Sequence, residues 1–502
     1  MPHFLSDEEL KRTAPAEIAS FLLPVPTQIV SNGEFNPLPQ TAQQQEVEAR
    51  IRDAAERLGS KHGKSRREFL ASSAGFAAAF LAMNEVFGSL FDVSPAEAAT
   101  PGVADQRAAA LAGQFIVDLQ THFVRDDFHQ TGLLDLAKYA KEHWDPAVWG
   151  VDTLARYKFD NYLKEVFVDS DTKVALLSGA PFDDPSWNLL SNDQIAMARA
   201  SINKVAGSRR LLAHSVFTPG KPGWLDEVDR AIGELRPDSW KGYTIGDPLF
   251  PSKVGSFWRL DDEKLMYPFY DKIVKAGIST VCIHKGLLPA DYEKSWPNVW
   301  EYATVSDLGK AAKDWPQLNF IIYHAALQPF LESPDAAMAA FDETGRIKWA
   351  TDLSEIPAKF GVGNVYAEIG TAFANSAVAN PRFAAALIGT LVRGMGADHV
   401  VWGTDSVWYG SPQWQIEAMR RLEIPEEMRA RHGFAPLGPA DGVIKSAIFA
   451  GNAARLYGIG VKAAEAEITR DRLAAIKDEY AAMGGLRSNA RYGYVAASAA
   501  PA

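Results

Sequence analysis

The stretch Phe115-Ile-Val-Asp-Leu-Gln-Thr-His122 opens apolar and then sets Asp118, Gln120 and His122 two residues apart. On a β-strand, side chains at i, i+2 and i+4 share one face. A strand whose polar groups gather toward its C-terminal end is what the mouth of a parallel barrel takes from its first strand. Taken alone, the stretch also fits a buried strand with a hydrogen-bonded Asp and a capping His. Three later strands that end the same way decide between the two.

Working outward, apolar and β-branched runs recur at 115–119, 174–177, 211–217, 240–245, 280–284, 320–324, 365–369 and 400–403. Helical patterns separate them, as at 192–206, 262–276, 306–313 and 381–393. Strands alternating with helices, without tight hairpin signals, predict a parallel sheet, and eight repeats predict closure into an α/β (β/α)₈ TIM barrel. The long aromatic segment 123–171 follows the first strand and is expected to cap the catalytic face.

Composition bounds the function. The chain has 502 residues, 47% hydrophobic and 23% charged, which suits a soluble globular protein. A net charge of -11 argues against nucleic acid as a partner. The single cysteine, Cys282, excludes an internal disulfide and a zinc site built from paired thiolates.

The N-terminal part reads differently. Residues 1–64 are polar and Pro/Gln-rich in places, with a charged helical pattern at 45–64, and are expected to be a largely irregular extension. Next come Ser65-Arg66-Arg67-Glu68-Phe69-Leu70, a short uncharged stretch and Ala96-Glu97-Ala98. That order resembles a twin-arginine export signal with a small-x-small cleavage pattern. The resemblance implies delivery to the periplasm by the twin-arginine machinery and a mature chain starting near residue 99. About sixty residues stand before the arginines, more than such signals usually carry. The alternative is an uncleaved membrane tether at 69–91, against which Glu85 argues. The barrel is expected over 99–460, followed over 461–502 by a charged helix and a disordered Ala-rich end.

The strand ends carry the chemistry. The first ends in Gln120-Thr-His122, the fifth in His284-Lys285-Gly286, the sixth in His324 and the eighth in Gly403-Thr404-Asp405. Barrel enzymes place their reacting groups at the C-terminal ends of different strands. Imidazole and carboxylate are the ligands of catalytic zinc and similar divalent ions.

This pattern resembles the amidohydrolase-2 branch of the amidohydrolase superfamily, which includes aminocarboxymuconate-semialdehyde decarboxylase and related aromatic-acid decarboxylases. The likeness runs from about residue 115 to 459. It rests on Val281-x-x-His284-x-Gly286, Gly403-Thr-Asp405 and the closing Gly451-Asn-Ala-Ala-Arg-Leu-Tyr-Gly458. It implies one divalent ion, zinc with manganese as the alternative, held by the first-strand pair, His284 and Asp405. His324 would be the adjacent acid/base. The branch carries His-x-His on its first strand, and this chain has Gln120-x-His122. An amide oxygen is a weaker ligand than imidazole. Gln120 therefore ligates a harder ion, or hydrogen-bonds a water on the ion, or marks a site that has lost its metal.

The implied activity is hydrolysis or non-oxidative decarboxylation of a small carboxylic acid, lactone or amide, with Asp405 and His324 as the catalytic pair. Both reactions use the same four residues. Glu368, Lys285, Arg125 and Trp408 are weaker candidates for substrate contact, and Asp118 for orienting the site from below. Branch members are often homodimers. The rival reading is a degenerate barrel that binds an exported small molecule without turning it over.

Overall fold

A computed structural model of the chain describes residues 13–15, 23–31, 37–127, 157–184, 186, 188–247, 257–288, 292–328, 334–492 and 494–496. Most of the expected cap, 128–156, therefore lies outside the described residues.

Eight short strands, each rich in aliphatic or aromatic residues and buried on both faces, form the centre. They are β1 (Val117–Thr121), β2 (Val174–Leu177), β3 (Leu211–Val216), β4 (Ser239–Tyr243), β5 (Thr280–His284), β6 (Asn319–Tyr323), β7 (Val365–Glu368) and β8 (Val400–Val401). Near-continuous apolar runs are what a parallel sheet covered on both sides demands. All pair in parallel in sequence order. The barrel closes through the segment that follows β8. The Leu119 amide donates to the Trp402 carbonyl at 3.0 Å, the Asp405 amide to Gln120 at 2.9 Å and the Val407 amide to His122 at 3.2 Å. The fold is the expected (β/α)₈ barrel. β2 and β5 match their sequence bounds, whereas β1 is displaced toward His122 and β8 is shorter than expected.

One detail departs from simple alternation. The register between β1 and β2 shifts between Asp118 and Thr121. A β-bulge of this kind re-aims the side chains that follow it. Val117 and Leu119 join Leu176, Leu212, Cys282, Ile321, Tyr323 and Val401 in the lumen cluster by ordinary alternation, and across the shift Gln120 and His122 also reach lumen groups. Asp118 turns instead to the segment after β8.

The N-terminal part, where it is described, packs against the barrel, and the apolar stretch expected in an export signal is helical and buried there. Helix α1 (Ala42–Lys61) starts at a Thr41/Gln44 capping box, and α2 (Ser73–Phe87) is capped by Ser72. Phe69, Leu70, Phe76, Ala77, Phe80 and Met83 are buried in one cluster with barrel-side Phe383, Leu387 and Trp414. Gly75 permits the approach, since a Cβ there would stand 2.4 Å from the Phe69 carbonyl oxygen. The chain then docks on α3 (Gln413–Arg421): Phe91 bridges Leu422, and the Asp92 amide donates to the Arg421 carbonyl at 2.8 Å. Buried charges complete the joint, with Arg421 to Glu97 at 2.6 Å and to Glu417 at 3.3 Å. Arg420 meets Asp171 at 2.7 Å and Glu417 at 2.9 Å. Ala98, at the expected cleavage point, is buried in the helical turn Pro95–Ala99. No described helix is long and apolar enough to cross a membrane.

The C-terminal part is likewise docked as far as it is described. Helix α4 (Arg472–Ala482) begins at Asp471, which pairs with buried Arg210 at 2.6 Å. Asn489, Arg491 and Tyr492 are buried, and Tyr494–Ala496 pairs antiparallel with Thr13–Pro15. The expected disordered end beyond 496 lies outside the described residues.

Candidate active site

Four strand ends bring the expected residues together. His122, at the end of β1, places Nε2 3.1 Å from Asp405 Oδ1 after β8. His284, the last residue of β5, places Nδ1 3.1 Å from Nε2 of His324, which follows β6. The Gln120 amide nitrogen is 3.4 Å from the same His324 nitrogen. All five side chains are buried. His324 and Asp405 hold φ of 59° and Thr371 holds 56°. This left-handed conformation costs an L residue about 1–2 kcal/mol, and such strain gathers where a scaffold aims functional groups.

Backbone carbonyls fix the tautomers. His122 Nδ1 lies 3.0 Å from the Ser178 carbonyl and His324 Nδ1 2.9 Å from that of Gly370. A carbonyl can only accept, so both Nδ1 atoms carry hydrogen and both Nε2 atoms turn toward the cluster. Against His324, the His284 Nδ1–H is the donor. Against Asp405, the His122 Nε2 lone pair would repel the carboxylate, so that contact needs a cation, either a proton on the ring or a metal ion. Asp405 is ionised. Burial alone would raise its pKa, but the His122 hydrogen bond and charge, His324 and the Thr371 hydroxyl outweigh burial and hold it low. Thr371 Oγ1 donates to Asp405 Oδ2 at 2.6 Å and lies 3.0 Å from the Tyr409 hydroxyl. Burial first, then the neighbouring imidazole, keeps His284 well below its usual value. Burial also lowers His324 to about 4. Both rings are neutral near pH 7, the form that ligates metal or takes a proton.

Two carboxylates hold the frame. Asp118 Oδ1 accepts the Gln120 and Thr404 amides at 3.1 and 3.0 Å, and Oδ2 accepts the Thr404 hydroxyl. Burial pushes Asp118 up to about 7. It orients the site from outside the lumen, as expected of an outer-shell partner. Glu368 accepts the His324 amide on Oε2 at 3.1 Å and the Gly370 amide on Oε1 at 2.5 Å, and burial raises it to about 8. This corrects the expectation of substrate contact, because both oxygens serve backbone amides of the loops after β6 and β7. Glycine at 403 makes room for it, since a Cβ there would stand 1.8 Å from Glu368 Oε1.

One more expectation is corrected, that for Lys285. Lys285 points away from the site and donates to the Tyr302 and Thr304 carbonyls and to Asp307, at 2.8, 2.6 and 3.2 Å, which accounts for all three ammonium hydrogens. Arg125 donates to the Ser186 carbonyl at 2.9 Å and lies 3.5 Å from Asp127. Trp408 does wall the site, stacked on His122 at 5.6 Å. Tyr157 leans on Trp408, and Tyr492 of the C-terminal segment leans on Tyr157. Trp402 packs outside the barrel against Phe373 and Phe449. Sequence reading missed Thr371, which carries no pattern of its own.

The family described as Amidohydrolase matches residues 117–459, from the first residue of β1 to just past Tyr457, more than half of the chain. The chain belongs to the amidohydrolase family. No curated protein matches this amidohydrolase at a significant level. Several solved structures align with it. An uncharacterized TIM-barrel protein from Bordetella bronchiseptica is 13% identical, with 71% of this chain and 99% of that one covered and a TM-score of 0.41. A 2,6-dihydroxybenzoate decarboxylase in complex with 2,6-dihydroxybenzoate is 15% identical, with 69% and 100% covered and a TM-score of 0.42. A 5-carboxyvanillate decarboxylase from Novosphingobium aromaticivorans, with bound manganese, is 16% identical, with 69% and 98% covered and a TM-score of 0.38. At these identities and scores the alignments carry no argument about chemistry.

The donor set of this amidohydrolase fits a divalent ion in kind: two imidazoles, one ionised carboxylate and an amide. The His122–Asp405 contact needs a cation, and Gln120 Oε1 is buried without a hydrogen-bond partner among the described residues. That oxygen lies beside Gly370 and Glu368, and it is the amide nitrogen that faces His324, so the amide must turn over to present its oxygen on the imidazole side. The spacings are those of hydrogen-bonded pairs, and no three His, Cys, Asp or Glu side chains among the described residues stand in coordinating geometry. The residue types fit, and the pairs must part to admit the ion.

Proposed function

We propose that the protein is a metal-dependent hydrolase or non-oxidative decarboxylase of a small carboxylic acid. The observation that carries this is the His122–Asp405 contact beside neutral His284 and His324, at the C-terminal ends of four barrel strands. His122, His284 and Asp405 would hold the ion, with Gln120 as a fourth, weak ligand once its amide turns. Zinc suits the imidazoles, and manganese suits the oxygen donors. When bound, the ion lowers the pKa of water and polarises a substrate oxygen.

The chain's own residues do the rest. The Ser178 and Gly370 carbonyls keep the His122 and His324 Nε2 atoms turned inward. Asp405, held ionised and oriented by Thr371, takes a proton in hydrolysis. His324, neutral and within reach of the same space, steadies developing charge. In decarboxylation, Asp405 or the Nε2 atom of His324 would first take a proton from water or a substrate hydroxyl and pass it to the carbon that loses CO₂. Trp408 shields His122 from water.

Elemental analysis of the purified protein, with His284→Ala and Gln120→His beside it, tests this reading. Near-stoichiometric metal in wild type that disappears in His284→Ala, together with turnover of an acid from a panel of aromatic acids, lactones and amides, is expected. A metal-free wild type that gains metal only as Gln120→His would overturn it.

We also propose export through the twin-arginine route with residues 65–98 retained. Arg66 and Arg67 are exposed at the start of a short helix, while the apolar stretch behind them is built into the core.

A further inference from the structure

Resting on the reading of His122 and Asp405 as active-site residues, we propose that the C-terminal strap Ser488–Tyr492 positions the site, and that Tyr492 is the residue that holds Trp408 over His122. Trp408 stacks on His122 with ring centroids 5.6 Å apart and planes at 22°. The Tyr157 ring lies 5.2 Å from Trp408, and the Tyr492 ring stands edge-on to Tyr157 at 5.9 Å and 85°. All three aromatic residues are buried. Close-packed side chains transmit displacement, so the inner ring of such a row keeps its place only while the outer one does. The hydrogen bond from His122 Nδ1 to the Ser178 carbonyl fixes the tautomer but leaves the imidazole free to pivot about that bond. The face of Trp408 removes the pivot.

The outer ring is anchored. The Tyr492 hydroxyl donates to Glu165 Oε1 at 2.6 Å and accepts from Asn161 Nδ2 at 3.2 Å. Glu165 is buried, and its backbone carbonyl accepts the Ser411 hydroxyl at 3.0 Å. The strap, the segment that carries Tyr157 and the loop after β8 therefore meet at one residue, where low local dielectric strengthens each hydrogen bond. The strap backbone also crosses that loop directly. Gly410 holds φ of 75°, and a Cβ there would stand 1.9 Å from the Ala490 carbonyl oxygen. The same loop carries Asp405, Trp408 and Tyr409, and the Tyr409 hydroxyl lies 3.0 Å from the Thr371 hydroxyl that orients Asp405. Both members of the His122–Asp405 contact are thus under the strap.

The N-terminal segment seats the strap from behind. Asn489 Nδ2 donates to the Leu70 carbonyl at 3.0 Å, and the Arg491 guanidinium donates to the Leu23 and Pro24 carbonyls at 3.3 and 2.9 Å. The Ser488 amide donates to Asp169 at 3.2 Å. Neither the strap nor its N-terminal seat lies within 117–459, the stretch that the family matches. The closure over Trp408 is therefore built from parts that this chain adds to the barrel. Such a closure bears on rate, because a misplacement of about 1 Å at a reacting group can cost about a hundredfold.

NMR of the full-length protein carrying carbon-13 at the histidine Cε1 positions tests the proposal, because the Trp408 ring current shifts the His122 ring proton. Tyr492→Leu is expected to move the His122 resonance and to leave those of His399, at the opposite end of β8, and His432 in place. With the acid, lactone or amide that wild type turns over, the same variant should lose about tenfold or more in kcat, with a smaller change in KM and unchanged metal content. Tyr492→Phe keeps the ring and loses the hydroxyl bonds, so it should restore the His122 resonance and most of kcat although its thermal midpoint falls. Tyr492→Met serves if the Leu variant does not fold. A folded Tyr492→Leu with an unmoved His122 resonance, or a Tyr492→Phe that moves it as far as leucine does, overturns the positioning role and leaves Tyr492 a purely structural residue. A wild type without metal or turnover, in which Tyr492→Leu still moves His122, overturns the enzyme reading and leaves the strap standing.

Discussion

Replacing Glu97 with alanine removes one partner of a buried ion pair that joins the N-terminal segment to the barrel. Glu97 and Arg421 are 4% and 3% exposed and their charged atoms stand 2.6 Å apart. Breaking a buried pair from one side costs about 3–5 kcal/mol, because the remaining charge stays desolvated. Arg421 keeps Glu417 at 3.3 Å, the Asp92 carbonyl at 3.2 Å and the Phe80 ring. The expected loss is therefore at the low end, about 3 kcal/mol, or roughly a hundredfold in the folding equilibrium. Replacing both partners with apolar residues, as in Glu97→Leu with Arg421→Met, should restore part of it, less than for an isolated pair because Glu417 then loses a partner. Urea unfolding of the full-length chain followed by tryptophan fluorescence reads this directly, with N-terminal sequencing of the same sample. A Glu97→Ala midpoint equal to wild type, with residue 97 still present, would refute a docked segment. A mature wild type that begins near residue 99 and keeps full stability would refute its retention.

Gly403→Ala should drive a Cβ into Glu368 and release the His324 and Gly370 amides, which lowers stability by about 3 kcal/mol and abolishes activity; an active, stable variant would argue against Glu368 as the frame of the His324 loop. The stability of the protein should fall on the acid side through Asp171. Burial pushes this carboxyl up, but the Arg420 charge, with help from Lys477, prevails and holds it below its unfolded value. Its contribution is thus present above about pH 4 and lost as pH falls through the lower folded value. Arg420→Met should move acid unfolding, read by circular dichroism, to higher pH, and an unmoved acid limb would count against the pair. Removal of metal by chelation should leave the barrel folded, because lumen packing and not the ion closes it, and should abolish activity; loss of the far-ultraviolet signal on chelation would contradict this.

The alternation of apolar runs with helical patterns was enough to number the barrel strands, because a sheet buried on both faces writes itself as uninterrupted aliphatic stretches. His122, His284, His324 and Asp405 were legible for the same reason. Each ends such a stretch, and strand ends converge in a barrel whatever the loops do. Gln120 was legible as a departure, although which of its atoms faces the imidazoles was not. Lys285 and Glu368 were misread because the direction of a side chain after a strand end depends on φ and on competing partners. Lys285 found Asp307 and two carbonyls, and Glu368 found two amides.

The apolar stretch after Arg66 and Arg67 shows the division most plainly. Its composition suits a leader and a buried helix equally, since both are short, small and uncharged. Only the tertiary structure, which sets Gly75 over the Phe69 carbonyl and Glu97 against Arg421, decided that the stretch packs as part of the core. The sequence by itself determined the barrel, its family and the kinds of atom at its mouth, because hydrophobic period and residue chemistry are local properties. What tertiary structure decided was non-local: the bulge that turns Gln120 and His122 into the lumen, and the carbonyls that set two imidazole tautomers. Those depend on which distant backbone and side-chain groups share a buried volume, and no spacing along the chain records that.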